Sequence, residues 1–435
     1  MKRVFATVLI SACAVVAVQA ADLPTPDVSF PQTNNAQITL GQLLFFDPIL
    51  SGNKTVSCAT CHHPKFNTAD GVSLGIGDGG IGLGPVRKVD ADNLPEKRIP
   101  RHAPMLFNIG ASEFTSFFHD GRLEVDTTRP SGIRTPLGSE MEQGFASLLS
   151  AQTMFPVLSA DEMAGHLGEN DVSRAVRRGV ITGPDGAWDI LAKRVEAIPA
   201  YRAAFDPIIG ADTAVHFTDI SDAIAAFVDF EWRAVNSPFD AFLRRGAPMD
   251  TDAMAGMELF YGSAGCSTCH AGLFQTDHKF HAIAMPQIGP GKAAIFENHQ
   301  RDLGRMRVTG NTADAYAFRT PSLRNVAHTA PYGHAGAYAT LEGVVRHHLD
   351  PLGALKTYLA DQAVLPDGLG KGDFAVMADT AEVTRISQAN QLEPQDLTDA
   401  EVSQLLAFLN ALTDVQSLRG ALGIPASVPS GLPFD

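Results

Sequence analysis

The pentapeptides Cys58-Ala59-Thr60-Cys61-His62 and Cys266-Ser267-Thr268-Cys269-His270 hold the residues best suited to chemistry in this chain. Both read C-x-x-C-H. Two thiols at i and i+3 can form thioethers to the two vinyl groups of one haem, and the following imidazole then lies under the iron as its proximal ligand. Other uses of paired cysteines fit less well. A zinc ribbon places its two C-x-x-C pairs about 15–20 residues apart, whereas these stand in opposite halves of the chain. A thioredoxin-like dithiol needs neither the histidine nor a second copy. Two disulfides, the default for four cysteines in an exported protein, leave the histidines unexplained. The spacing therefore predicts two covalently attached haem c groups, with His62 and His270 as iron ligands. His63, one residue on in a helix, points about 100° away from the ligand face.

Similar apolar stretches feed the two motifs. Leu40-Gly41-Gln42-Leu43-Leu44-Phe45-Phe46 precedes the first, and Gly256-Met257-Glu258-Leu259-Phe260-Tyr261 the second. Each predicts a short helix entering a haem loop, an internal repeat. Ile220, Ala223, Ile224, Phe227 and Val228 follow helical periodicity. Thr398-Asp399-Ala400-Glu401 is a capping box, followed by Val402, Leu405, Leu406 and Leu409 on one face. No long alternating pattern is present, so the expected class is mainly α. Asn236-Ser237-Pro238 is a natural boundary. It divides the mature chain into a first domain at 21–236 and a second at 237–435, whose tail could pack back on the first. Gly75-Ile76-Gly77-Asp78-Gly79-Gly80 fits G-x-G-x-x-G, but further glycines and Pro85 follow it instead of a helix. It reads as a loop near the first haem rather than a dinucleotide site.

The length of 435 residues suits two domains, and 45% hydrophobic residues can build their cores. Met1-Lys2-Arg3, the apolar run to Val18 and Val18-Gln19-Ala20 form a secretory leader over residues 1–20. The rival is a lipobox at Ile10-Ser11-Ala12-Cys13, which would leave a lipid on Cys13. Either way the expectation is export to the periplasm with no membrane span. The net charge is −15. Such a chain repels phosphate backbones, which argues against nucleic-acid binding. It suits a basic redox protein better.

With two haem sites in place, the chain resembles the bacterial dihaem cytochrome c peroxidase and MauG family. The resemblance runs from about residue 36 to about 414. It is carried by Gly41-Gln42-Leu43-Leu44-Phe45-Phe46-Asp47-Pro48, His119-Asp120-Gly121-Arg122, Thr320-Pro321-Ser322-Leu323-Arg324-Asn325 and Thr329-Ala330-Pro331-Tyr332-Gly333-His334. It implies two cytochrome c-like domains, with a peroxidatic N-terminal haem and an electron-transfer C-terminal haem. The family's peroxide pocket has a Gln, a Pro four residues on and a Glu ten residues on. Gln152, Pro156 and Glu162 keep that spacing, and Met163 follows. The chemistry needs such a carboxylate, because splitting hydrogen peroxide moves a proton from one oxygen to the other. Some family members place a histidine on the distal side of the first haem. This chain has Asp78 there, sixteen residues beyond His62, which predicts an iron open to peroxide at rest.

The second haem's other ligand lies, in the family, fourteen residues after the histidine of the P-Y-x-H segment, as Met in peroxidases and Tyr in MauG. From His334 the count arrives at His348, with adjacent His347 as fallback. An axial His lowers the potential relative to Met, which leans toward MauG-like behaviour. Between the haems the family usually has a Trp as bridge. His119 stands there instead, and Trp188 and Trp232 do not replace it by position. The family's calcium takes carbonyls that map to Thr329 and Pro331. Its Asn ligand maps to His102, a poor donor for a hard cation.

The leading expectation is an oxidoreductase that reduces hydrogen peroxide at the first haem. Its electrons would come from a small donor, a cytochrome c or cupredoxin, through the second haem. The alternatives are a MauG-like oxidase acting on Trp or Tyr of a partner protein, and a non-enzymatic dihaem electron carrier. The segment from Gly353 to Asn390 matches the family poorly, and its sequence does not say whether it caps a haem or meets a partner.

Overall fold

The computed structural model describes residues 23–166, 168–293, 296–370 and 372–434. The leader at residues 1–20, Cys13 within it, lies outside them. Among the described residues helices dominate, and the strands are two or three residues long, in three small antiparallel ribbons.

Each half is organised around a crossing of two helices. Asn35–Phe46 starts where the Asn34 side chain accepts from the Ala36 N–H at 2.8 Å. It packs against Phe217–Glu231. Gly41 sits at the contact, where a Cβ would lie 1.8 Å from the Ala223 carbonyl oxygen. In the second half, Thr251–Tyr261 packs against Asp399–Ala411, which begins with the expected Thr398/Glu401 capping box. Gly256 makes the matching approach, with a Cβ 1.8 Å from the Gln404 carbonyl oxygen. Any side chain at either glycine would force the backbones apart. The sequence repeat is thus a repeat of one packing unit.

Aromatic pairs follow each glycine. Phe45 lies 5.4 Å from Phe227 and 5.3 Å from Trp232. Phe260 lies 5.1 Å from Phe408, and Tyr261 6.0 Å. These rings anchor two hydrophobic clusters, one centred on the helices around Leu44, Trp188 and Phe227, the other on Phe239, Phe260 and Phe408. Burial of such rings is worth about 2–3 kcal/mol each.

Two later segments return to the first half. Within the 353–390 stretch, the Ser73 N–H donates to the Val364 carbonyl at 2.7 Å, and the Val364 N–H to Ser73 Oγ at 2.8 Å. Buried Arg98 donates to Asp373 at 2.9 Å and to the carbonyls of Pro366 and Leu369 at 2.6 and 2.7 Å. This stretch therefore straps the loop around residues 72–99. The C-terminal tail runs over the first helix pair. Glu231 accepts from the N–H groups of Leu422 and Gly423 at 2.7 and 2.8 Å. Ser430 Oγ donates to buried Asp47 at 2.6 Å, and Phe434 lies 6.2 Å from Phe46.

Candidate haem and peroxide site

The four motif cysteines are free thiols. Cys58–Cys61 is one helical turn, held by a capping box between Ser57 and Thr60. His62 follows at its end. Its Nδ1 lies 2.9 Å from the Thr68 carbonyl. A carbonyl only accepts, so Nδ1 carries the proton and Nε2 presents a lone pair. His270 repeats this with the Gln275 carbonyl at 2.9 Å. Burial drives both imidazoles below their ordinary value, His270 to about 4, so both are neutral, as metal ligands must be.

His348 faces His270, with ring centres 6.4 Å apart. Two imidazoles sharing one metal, each nitrogen ~2 Å from it, have ring centres roughly 6 Å apart. His348 Nδ1 is turned to the Val344 carbonyl at 2.8 Å, which again leaves Nε2 for a metal. His347 is different. Its Nε2 donates to the Ile283 carbonyl at 2.8 Å, and its Nδ1 takes the Tyr338 hydroxyl at 2.9 Å. Both nitrogens are spent on protein. Arg319 adds a second sign of fit. It makes no ion pair among the described residues, its hydrogen bonds go to the carbonyls of Phe118 and Thr320, and burial lowers it to about 10. Haem brings two carboxylates that such a cation can take. The thiols, neutral imidazoles and unmatched cation thus fit a c-type haem in each half.

Among the described residues one other group could hold a metal: Cys269, Asp277 and His281, within 4.8 Å of one another. It spends the sulfur that a haem would use, so it does not read as a separate centre. His102, the residue at the calcium family's Asn position, has Nδ1 committed to the Val72 carbonyl at 2.9 Å.

Gln152, Pro156 and Glu162 stand on consecutive short elements. Gln152 is in the helix Leu148–Thr153, Pro156 opens the 3-10 turn Pro156–Leu158, and Glu162 is inside the π-turn Ala160–Ala164. Gln152 Oε1 is buried without a hydrogen-bond partner among the described residues, an acceptor left over for a ligand. Glu162 lies close enough to Cys61 to act on its thiol electrostatically. Burial raises the Glu162 carboxyl above its ordinary value, while Lys292 and Arg122 pull it back down.

Asp78 is buried and fully engaged. It accepts from Thr55 at 3.0 Å, Asn53 at 2.9 Å and Asn93 at 3.1 Å. Its N–H donates to the Glu162 carbonyl at 2.9 Å. It is a structural carboxylate that fixes the glycine-rich loop beneath the π-turn.

His119 lies where the halves meet. Burial, then the charges of Arg101, His334, His102 and Arg319, push it well below its ordinary value, so it stays neutral. Beside it Arg101 binds Asp302 at 2.7 and 2.9 Å and Asp120 at 2.8 Å. The two carboxylates, working against burial, hold its guanidinium above its ordinary value. Trp188 and Trp232 are both buried in the first core. Trp188 donates to the Met154 carbonyl at 2.8 Å and stacks on Phe217. Sequence reasoning missed the roles of Lys292, Arg101 and Arg319. Arg122 was visible only as part of a motif, and Lys292, in Gly289-Pro290-Gly291-Lys292, carried no local signal.

Residues 35–247 match the family described as di-haem cytochrome c peroxidase. The chain is 29% identical over 316 residues to methylamine utilization protein MauG of Methylorubrum extorquens, covering 72% of this chain and 68% of that one. It is 29% identical over 336 residues to cytochrome c551 peroxidase of Nitrosomonas europaea, covering 75% and 77%. A solved MauG-like protein associated with microbial copper homeostasis superposes with a TM-score of 0.56 at 25% identity, over 94% of this chain and 97% of that one. The diheme peroxidase BthA of Burkholderia thailandensis shares the fold, with a TM-score of 0.58 at 21% identity, over 95% and 96%. None of the described helices is long and apolar enough to cross a membrane. The chain belongs to the di-haem cytochrome c peroxidase and MauG family of haem-dependent oxidoreductases.

Proposed function

We propose that this protein is an exported, periplasmic di-haem c-type peroxidase. It reduces hydrogen peroxide in its first half with electrons that enter through its second: H2O2 + 2 H⁺ + 2 e⁻ → 2 H2O. Cys58, Cys61 and His62 would hold one haem, and Cys266, Cys269, His270 and His348 the other. Haem, when bound, supplies an iron that takes up the peroxide and the redox equivalents for its reduction.

The protein supplies the proton path. Glu162 takes the proton from one peroxide oxygen and returns it to the departing one, which leaves as water. Gln152 presents its amide to orient the peroxide. Pro156 offers no N–H and narrows the approach. The observation that carries the reading is a half-buried carboxylate beside the Cys58–His62 loop, on a face where Asp78 is committed elsewhere. No side chain then competes with peroxide from that position, and the resting ferric protein should be high-spin.

The His270–His348 pairing favours a second reading. A bis-histidine haem, of lower potential than a His–Met one, is less suited to collect electrons from an ordinary cytochrome c. It is better suited to share oxidising equivalents with the first, as in a MauG-like oxidase of a partner protein's Trp or Tyr.

The test is steady-state oxidation of a reduced small cytochrome c by hydrogen peroxide. Fast turnover, lowered about 10²–10⁴-fold in Glu162→Gln, supports the peroxidase. Absent turnover, with the absorption spectrum still responding to peroxide, moves the assignment to the oxidase. No response at all removes both.

A further inference from the structure

We infer that the cavity where the two halves meet is a binding site for a small multivalent oxyanion, of the phosphate or polycarboxylate kind. This goes beyond the peroxide reaction. Hydrogen peroxide is uncharged near neutral pH, and a basic cavity does nothing to hold it.

The cavity encloses about 410 Å³, and its charged lining is six cations against two carboxylates, Asp120 and Asp161. The chain as a whole has a net charge of −15. Most of these cations reach a carboxylate behind the wall, yet the carboxylates run short. Lys97 pairs with Asp161 at 3.4 Å. Arg122 pairs with Asp120 at 3.1 Å, but Arg101 also takes Asp120 at 2.8 Å. Arg129 and Arg134 share Asp126 at 3.0 and 3.5 Å. Arg134 lies 3.3 Å from Glu124, which Arg305 holds at 2.8 Å. Arg307 pairs with Glu297 at 2.7 Å, and Arg101 with Asp302 at 2.7 Å. Lys292 has no ion pair among the described residues and is only partly exposed. Lining and partners together make eight cations against six carboxylates, an excess of two positive charges.

Donors are in surplus as well. Arg122 gives Asp120 only Nη1, at 3.1 and 3.2 Å. Arg307 gives Glu297 only Nη1, at 2.7 Å, and Arg129 gives Asp126 only Nε, at 3.0 Å. Each guanidinium keeps nitrogens that can fork onto an oxyanion. A cleft lined by one sign of charge concentrates the field and gathers counter-ions. An ammonium partly withdrawn from water without a partner is costly, and an anion in the cavity offsets that cost.

The two walls are held in place. Lys97, Arg122, Arg129 and Arg134 come from the first half, Lys292 and Arg307 from the second. Arg305 donates across to the carbonyls of Asp120 and Gly121 at 3.2 and 2.9 Å. Gly291 has φ +66°, and a Cβ there would lie 2.0 Å from the Gln300 carbonyl oxygen, which fixes the loop carrying Lys292. An anion between these walls ties the halves together.

Haem carboxylates reaching the cavity would neutralise the same excess, so the test uses the di-haem protein. Isothermal titration calorimetry at pH 7 and low salt takes phosphate, citrate and acetate as probes. Phosphate or citrate should bind at one equivalent, and acetate at least about tenfold more weakly. The tighter of the first two tells an inorganic ligand from an organic one. Its Kd should rise about tenfold in Lys292→Gln and in Arg307→Gln, for one charge-assisted hydrogen bond lost. It should recover in Lys292→Arg and weaken with added sodium chloride. A hundredfold excess over Kd should raise the melting temperature by about 5–10 °C, and the same concentration should raise it less in Lys292→Gln. No saturable binding of phosphate or citrate would overturn the inference, as would acetate binding equally well. Binding at several equivalents that neither variant weakens would mean an adventitious ion only, and would overturn it too.

Discussion

Adjacent histidines 347 and 348 should respond to removal in opposite ways. His347 is fully buried and bridges the Tyr338 hydroxyl and the Ile283 carbonyl. His347→Ala strands both. Each unsatisfied buried group costs about 1–3 kcal/mol, so two cost about 2–6 kcal/mol before any cavity is counted. At about 2–4 °C per kcal/mol for a domain of this size, the second half should melt many degrees lower. Its low-spin spectrum should nevertheless persist, because His348 still faces His270. His348→Gly should do the reverse. It removes only the Nδ1 bond to the Val344 carbonyl, which lies within the helix Leu341–Leu349, costs less stability and converts one haem to high spin, reversed by added imidazole. Electron paramagnetic resonance counts the low-spin haems, and a thermal melt followed by circular dichroism gives the stability. A high-spin His347→Ala beside a low-spin His348→Gly would refute the assignment.

Asp78→His should not yield a six-coordinate first haem. The Asp78 N–H is tied to Glu162, and at Gly77 a Cβ would meet the Glu162 carbonyl oxygen at 2.5 Å, so the loop cannot swing. The resting spectrum should stay high-spin while stability falls through the stranded Asn53, Thr55 and Asn93 donors; a new low-spin signal would show that the loop moves. Asp70 is buried, with its carboxyl raised by burial to about 7. The folded state then binds more protons than the unfolded one between about pH 4 and 7, so stability falls as pH rises through that window. Asp70→Asn removes this dependence and should gain stability at pH 8 by up to roughly 4 kcal/mol and none at pH 4; equal gains at both would show that the carboxyl is not involved.

Chemistry that depends on local spacing was legible in the sequence. C-x-x-C-H places thiols and imidazole by helix geometry alone. The apolar stretches around Gly41 and Gly256 announced two helices, though not the distant backbones that the glycines admit. The Thr398 capping box is a matter of four residues. What was illegible depends on residues far apart in the chain. Nothing in Asp78 announces that Asn53, Thr55 and Asn93 will claim both its oxygens. Nothing in Gly289-Pro290-Gly291-Lys292 points to the cavity that it shares with Arg122 of the other half. The His347/His348 choice lay between these cases. Counting arrived at His348 with His347 as fallback, and the contacts with Tyr338 and Ile283 that occupy both nitrogens of His347 could not be read. The 353–390 stretch was unreadable because its partners, Ser73 and Arg98, belong to the other half.

The tail that ends on Asp47 has a consequence for the order of assembly. Asp47 closes the helix that leads into the first haem motif, and it is satisfied in part by Ser430. Glu231, in the helix that crosses it, waits for Leu422 and Gly423. The first half of the molecule is therefore completed by residues 422–430, which follow the whole second half in the chain. A nascent chain emerging from its amino end cannot finish that half early, and such long-range closure is slow. The haem attachment proposed for Cys58 and Cys61 would thus have a window before the fold shuts. Removal of residues 422–434 should disturb the first half, with its Cys58–His62 motif, and not the second.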